Sequence, residues 1–271
     1  MVSFLVVGGS NIDVKGKSEE TPIMGHSNPG KVYVVPGGVG RNITSTLANL
    51  GAFVYFITSF SDDPWGMLIR VSIDKTDINA FVIDKDYTGI YIAVLDDKGK
   101  TVVGVAGPNP VADLQWEEIK RFIPDEPRVW IFDTNISYEL ARHLVAEANM
   151  RDVKTVMVPA SPRKLKPFVE LVENVDVVIV NECEADIIGD VRPKDLMIVT
   201  RSNKVTLYSK SETKDVEFSP LKRYVDDTGA GDTFAAAFVY NYFSVGVDLY
   251  DSVRLALDYA KASMQHYSSD I

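Results

Sequence analysis

The sequence predicts an α/β fold built on a mostly parallel sheet, and three features predict it. Short apolar runs alternate with segments whose apolar residues recur at helical spacing. Several of these runs end in clusters of small polar residues, at the strand ends where parallel sheets bind ligands. The stretch 81–106 breaks the alternation with consecutive β-rich runs. At 271 residues, 46% of them hydrophobic and 24% charged, the chain has the composition and length to bury a large core in one domain.

Residues 3–8 read as a buried strand of continuous apolar residues. Its end, Gly9-Ser10-Asn11-Ile12-Asp13, presents short polar groups. Asn11 and Asp13 share a face if the strand continues and can then hold adjacent hydroxyls; otherwise they close it as an Asx turn. Residues 14–30 are polar and turn-rich, and 31–35 form a short strand ending at Pro36-Gly37-Gly38-Val39-Gly40-Arg41-Asn42. Glycine at three of four successive positions lets backbone approach a ligand, although the run fits neither the dinucleotide fingerprint nor the Walker loop. A helix follows over 41–50, with Ile43, Leu47 and Leu50 in phase and Gly51 as its stop, which puts Asn42 near a helix N-terminus.

Residues 52–59 are a strand and 65–71 a helix after Asp62-Asp63-Pro64. The β-rich runs 81–83, 87–95 and 101–106, with Asp96-Asp97-Lys98-Gly99 as a hairpin turn, join 31–35 in a small antiparallel unit. Such a unit is either a lid over the strand ends or a decorated edge. Alternation resumes with helix 114–122, strand 129–132 ending in Asp133-Thr134-Asn135, helix 138–148 and strand 155–158. A short helix, 167–172, leads to strand 175–180 and Asn181-Glu182-Cys183-Glu184. Asn181 and Glu184 either position water around magnesium or form an N-cap with its capping box. Strand 197–200 and the β pair 204–209 and 216–218 precede Asp226-Asp227-Thr228-Gly229-Ala230-Gly231-Asp232, after which an apolar helix begins. This glycine-paired turn gathers unpaired N–H groups and the positive end of a helix dipole. Asp232 on the first turn can take a proton from a hydroxyl, or it can be an ordinary cap. A last helix spans 249–267, and 268–271 is expected to fray.

The net charge of −10 disfavours non-specific nucleic-acid binding without bearing on small phosphorylated ligands. No apolar run reaches the length of a membrane span, and segment 2–7 lacks a basic leader and runs into Gly8-Gly9, so a cytoplasmic protein is expected. The single cysteine, Cys183, leaves no internal disulfide and fits a reducing compartment. His26, His143 and His266 are scattered, and the acids stand without histidine at metal-ligand spacing, which disfavours a metal-dependent hydrolase.

The strand-end clusters at 9–13, 37–42, 181–184 and 226–232 occur in an order that resembles the ribokinase-like PfkB family of carbohydrate and nucleoside kinases over nearly the whole chain. The resemblance implies a ribokinase-like three-layer α/β/α sandwich with a mostly parallel central sheet. Residues 1–271 would form one domain, with a small antiparallel β lid from about 14–36 and 81–106. It implies ATP as phosphate donor with Mg2+, and it allows K+. Asp232 would be the general base toward a 5′-hydroxyl, and the N–H groups of Gly229, Ala230 and Gly231 the anion hole. Asn181 and Glu184 match the family's Asn-x-x-Glu motif, with Glu184 holding Mg2+ through water. Thr200, Arg201, Thr228, Gly229 and Gly231 would face the nucleotide, and Asp226 is a candidate monovalent-cation ligand. Asn11, Asp13, Gly37, Gly38, Asn42 and Asn135 would hold the acceptor, a small nucleoside or sugar. The family's lid often pairs between subunits, which implies a homodimer.

Within the family, Ser27-Asn28-Pro29-Gly30-Lys31 and Asp133-Thr134-Asn135-Ile136-Ser137 are similar to the branch that phosphorylates pseudouridine. Pseudouridine is therefore the expected acceptor, with ribose or another sugar or nucleoside as the alternative. A non-catalytic ligand-binding protein on the same scaffold is a further reading, and Asp232 speaks against it. The chain also departs from the pattern. Thr200-Arg201-Ser202-Asn203-Lys204-Val205 keeps the threonine of the family's Thr-x-Gly-x-x-Gly loop and loses both glycines, so Arg201 or Lys204 would contact phosphate instead. Asp227 replaces a common threonine, and the short tail would leave the adenine pocket open with a broad donor preference.

Overall fold

The structure, a computed structural model, describes residues 2–221 and 228–265. In chain order the strands are β1 (Ser3–Val7), β2 (Asn11–Ser18), β3 (Gly30–Gly37), β4 (Phe53–Phe60), β5 (Ile78–Asp84), β6 (Gly89–Leu95) and β7 (Thr101–Ala106). They continue with β8 (Val129–Asp133), β9 (Lys154–Val158), β10 (Val177–Asn181), β11 (Leu196–Thr200), β12 (Lys204–Ser209) and β13 (Thr213–Glu217). The helices are α1 (Val39–Asn49), α2 (Pro64–Asp74), α3 (Trp116–Ile119), α4 (Tyr138–Met150), α5 (Pro162–Leu165), α6 (Glu182–Ile188), α7 (Ala230–Val239) and α8 (Leu249–Ser263).

Nine strands form the large sheet in the order β13-β12-β11-β10-β9-β8-β1-β4-β5. Pairing is parallel from β5 through β11, and β12 and β13 complete the edge in antiparallel register. The central strands read as continuous apolar runs because both of their faces are covered. In β1, Phe4 and Val6 point into a core shared with α1, α2, α7 and α8, while Leu5 and Val7 point into a second core shared with α3, α4, α5 and α6. This is the three-layer α/β/α sandwich expected of the sequence.

A second sheet, ordered β3-β2-β6-β7, is separate. Its outer pairs are antiparallel, and its central pair, β2 with β6, is parallel. Two expectations about this unit need correction. The 81–83 run belongs to β5, which pairs with β4 and extends the large sheet. The polar stretch after Asp13 is not all turn, since β2 continues to Ser18 with a ladder on each side. Those two ladders satisfy the backbone of β2, so sheet context overrides the weak strand propensity of Val14-Lys15-Gly16-Lys17-Ser18. On one face of this sheet Val32, Val34, Ile92, Val94, Val103 and Val105 are exposed together.

The helix expected over 114–122 is instead a 3-10 turn at Pro110–Asp113, the single turn α3 and a 3-10 turn at Lys120–Phe122. Asn109 caps the first turn, and Gln115 starts the second with a capping box to Glu118, so two start signals replace one continuous helix. Likewise 167–172 lies within a 3-10 segment, Lys166–Asn174, that follows α5. Among the described residues no helix is long and apolar enough to cross a membrane.

Candidate active site

Parallel strands deliver their polar ends to one side of the large sheet, and there a cleft of about 460 Å³ opens. Asn11 and Asp13 reach it from β2, Asn135 from the turn after β8, Ser161 and Lys164 from the start of α5, Asn181 from the end of β10 and Thr200 from the end of β11. Gly38 and Asn42 at the start of α1, and Thr228, Gly229, Gly231 and Asp232 at the start of α7, line it as well. Ile90, Tyr91, Gly107 and Asn109 cover it from β6 and the segment after β7.

Two helices begin at this cleft, α1 on Gly38 and α7 on Gly229, and neither has a side-chain cap from its own N-cap residue. Both glycines have positive φ, 99° at Gly38 and 81° at Gly229, a region open to glycine and strained for other residues. Their open ends have different fates. At α1 the first N–H groups are consumed within the protein: Gly40 donates to Asp133 Oδ2 at 2.9 Å and Arg41 to the Gly9 carbonyl at 3.1 Å. Asp133 also accepts from Gly9 N at 2.8 Å and Asn135 N at 2.7 Å, so it ties three segments of the site together. Its burial raises its pKa, while these backbone donors oppose the rise. At α7 the glycine start leaves the first turn without a side-chain cap, and Gly229 and Gly231 of that turn line the cleft.

Asp232 stands on that turn. Asn42 Nδ2 donates to Asp232 Oδ2 at 2.7 Å, and the Arg41 guanidinium donates to Asn42 Oδ1. Because arginine only donates, it holds the amide of Asn42 with its NH2 toward the carboxylate. Burial pushes the Asp232 carboxyl up to about 7; the Asn42 hydrogen bond and the Arg41 charge oppose the rise, while Asp133 and Asp13 add to it. Arg41 is itself pushed down to about 10 by burial, against the pull of Asp13 and Asp232. A carboxylate titrating near neutrality and directed at a cleft is suited to general-base work. Asp13 is buried and accepts from Asn11 Nδ2 at 2.6 Å, so these two do share one face.

Asn181 and Glu184 form a reciprocal capping box: Asn181 Oδ1 accepts from Glu184 N and Glu184 Oε2 from Asn181 N, each at 3.0 Å. The cap and the cleft-lining position coexist, so the two readings of this pair are compatible. Burial lifts the Glu184 carboxyl to about 7. A desolvated carboxylate gains strongly from a nearby cation, and a single carboxylate suits an ion that keeps most of its water.

Not every expected residue meets the cleft. Gly37 is buried beneath the Asp13 carboxylate, and Ala230 is buried in α7; neither side lines the opening. Arg201 turns away, donating to Glu182 at 3.2 Å and to Thr206 Oγ1 at 2.7 Å, and Lys204 pairs with Asp215 at 2.7 Å. Those carboxylates give the two cations partners outside the cleft, leaving Thr200 as the part of that loop that reaches it. Asp226 and Asp227 lie outside the described residues, and the expected monovalent-cation position lies there with them. Conversely, Lys164, Asn109 and Tyr91 were not singled out from the sequence, and Arg41 and Asp133 stood there only within longer motifs, with no role of their own. Ser161 and Lys164 had an available signal, because Pro159-Ala160-Ser161 ends a strand as Asp133-Thr134-Asn135 does.

Comparison with known proteins identifies the family of the chain. The chain is 24% identical over 276 residues to pseudouridine kinase of Escherichia coli strain K12, covering 93% of this chain and 87% of that protein. It is 26% identical over 290 residues to ribokinase of Lactococcus lactis, covering 99% and 93%. The solved ribokinase of Giardia lamblia superposes with a TM-score of 0.85 at 18% identity, covering 98% of this chain and 94% of that one, a likeness of fold. The pfkB family carbohydrate kinase profile matches residues 1–271. The chain belongs to this family and is a sugar or nucleoside kinase.

Proposed function

We propose that the protein transfers the γ-phosphoryl group of ATP to the 5′-hydroxyl of a nucleoside, with pseudouridine the favoured acceptor. The observation that carries this reading is Asp232, held by Asn42 on the open first turn of α7 inside the cleft. Asp13 and Asn11 bind ribose hydroxyls and orient the 5′-oxygen toward Asp232. Asp232 takes the hydroxyl proton as the oxygen bonds to the γ-phosphorus; the bond from that phosphorus to the bridging oxygen breaks, and ADP leaves with the electron pair. The proton on Asp232 then passes to solvent, a step favoured by a pKa of about 7. Amides of 229–231 face the charge that develops on the transferring group. Mg2+ would supply neutralisation of the phosphates, with Glu184 holding it through water.

The small sheet acts as a lid on one domain, and its exposed valine and isoleucine face pairs with a second copy in a homodimer. The lone Cys183, exposed on α6, fits the reducing cytoplasm as the working compartment. Support for a nucleoside over free ribose is the volume of the cleft, about 460 Å³, and the further polar residues Asn109, Asn135 and Ser161 that line it besides Asn11 and Asp13. The test is ADP release with ATP and Mg2+ across pseudouridine, uridine, inosine and ribose. The expected order puts pseudouridine first by kcat/KM; ribose leading the series would move the assignment to a sugar kinase, and release with none would remove the kinase mechanism.

A further inference from the structure

Lys164 lines the cleft and stands outside every role assigned above. It is placed by α5, whose N-cap Ser161 accepts from Lys164 N at 3.4 Å, and its ammonium donates to Asn135 Oδ1 at 2.5 Å. Among the described residues no carboxylate forms an ion pair with it. Asp133, the nearest source of negative field, has its own oxygens occupied by the amides of Gly9, Gly40 and Asn135. Burial lowers the Lys164 pKa, with the field of Asp133 in opposition. The result is a half-buried cation with one protein partner and two further N–H donors at the acceptor end of the cleft. An ammonium has no lone pair to offer, so what completes it is a hydrogen-bond acceptor, such as an oxygen.

We propose that Lys164, braced by Asn135, is a specificity-determining residue that donates to a carbonyl oxygen of the acceptor's base, selecting nucleosides whose base carries ring carbonyls. This rests on the nucleoside kinase reading above. A carboxylate of a sugar acid offers the same accepting chemistry. The walls favour the base: Ile90, Tyr91, Val158 and Pro159 line the same cleft and suit the flat faces of a ring, whereas an acid would bring a second negative charge into a cleft that already holds Asp13.

The test compares wild type, Lys164→Met and Lys164→Arg with pseudouridine, ribose and a hexonic acid as acceptors. Pseudouridine binding is measured by calorimetry without nucleotide. In Lys164→Met the ratio of kcat/KM for pseudouridine to that for ribose is expected to fall on the order of 10- to 100-fold, the size of one charge-assisted hydrogen bond. The loss should reside mostly in KM, the calorimetric Kd should weaken by the same factor, and Lys164→Arg should restore part of both. Equal losses for pseudouridine and ribose would overturn the inference and leave the kinase reading standing, as would a selective loss for the acid. Tight binding of pseudouridine by wild type that Lys164→Met leaves intact would also overturn it. A wild-type protein that binds the nucleoside through Lys164 yet transfers no phosphoryl group would instead overturn the kinase reading alone.

Discussion

A carboxyl group whose pKa is lifted by burial can serve catalysis at the expense of stability, and Asp232, the proposed base, has both sides to test. As a base it must be ionised, so kcat/KM is expected to rise about tenfold per pH unit below about 7 and to level off above it. Arg41 favours the ionised form, so Arg41→Met should displace that limb toward higher pH; a limb that stays in place would detach Arg41 from the base. For folding the sign is opposite to that of a salt-bridged aspartate. A carboxyl with a raised folded pKa destabilises the protein above that value, and the cost disappears as pH falls toward the unfolded pKa. Asp232→Asn should therefore raise stability at pH 8 by on the order of 2 kcal/mol and have little effect near pH 4, measured by denaturant unfolding. The position of Asp232 on the first turn of a helix was legible in the sequence because its motif is contiguous. Arg41, Asp133 and Lys164 were not, because each acquires its role from burial and from partners supplied by other segments, such as Gly9 for Asp133 and Asn135 for Lys164.

Elements make the site by how they begin. Most of the longer helices start on a side-chain cap, Asp63 for α2, Ser137 for α4 and Asp248 for α8, while α1 and α7 start on glycine at the cleft. Gly229→Ala would force a Cβ into positive φ and within 3.3 Å of Asn42 Nδ2. About 1–2 kcal/mol of strain is expected from the backbone, with a fall in kcat of at least about tenfold through displaced amides and Asn42. Thermal unfolding and steady-state kinetics check the two parts, and unaltered kcat would mean that the α7 amides do not face the reacting phosphate. The capping box at Asn181 gives a parallel case, since Glu184 both closes α6 and lines the cleft. Most element positions were readable from apolar runs and stop signals. The failures share a cause: β2 has a polar sequence made into a strand by two neighbours, and the 110–122 region contains two caps where periodicity suggested one helix.

At the scale of the whole molecule, the parallel order of the large sheet brings the ends of β8, β9, β10 and β11, distant in sequence, to one cleft, which residues of the small sheet also line. The overall sandwich was legible because buried parallel strands leave a plain apolar signal. Sheet membership was less so, as 81–83 shows, because residues in either sheet carry the same β-rich composition. The outward face of the small sheet gives a prediction at this scale. Replacing Val34 and Ile92 by lysine and glutamate should convert a dimer to a monomer in size-exclusion chromatography with light scattering; a wild-type monomer would assign that face to another partner.

Product analysis after incubation of ATP, Mg2+ and pseudouridine with wild type and with Asp232→Asn tests the base and the reaction together, provided nucleoside binding is measured for both. Wild type should form a nucleoside 5′-monophosphate, and the variant should bind pseudouridine within about threefold of wild type while losing on the order of 10³-fold in turnover. A variant that phosphorylates the nucleoside at close to the wild-type rate would contradict the role of Asp232 and the mechanism built on it.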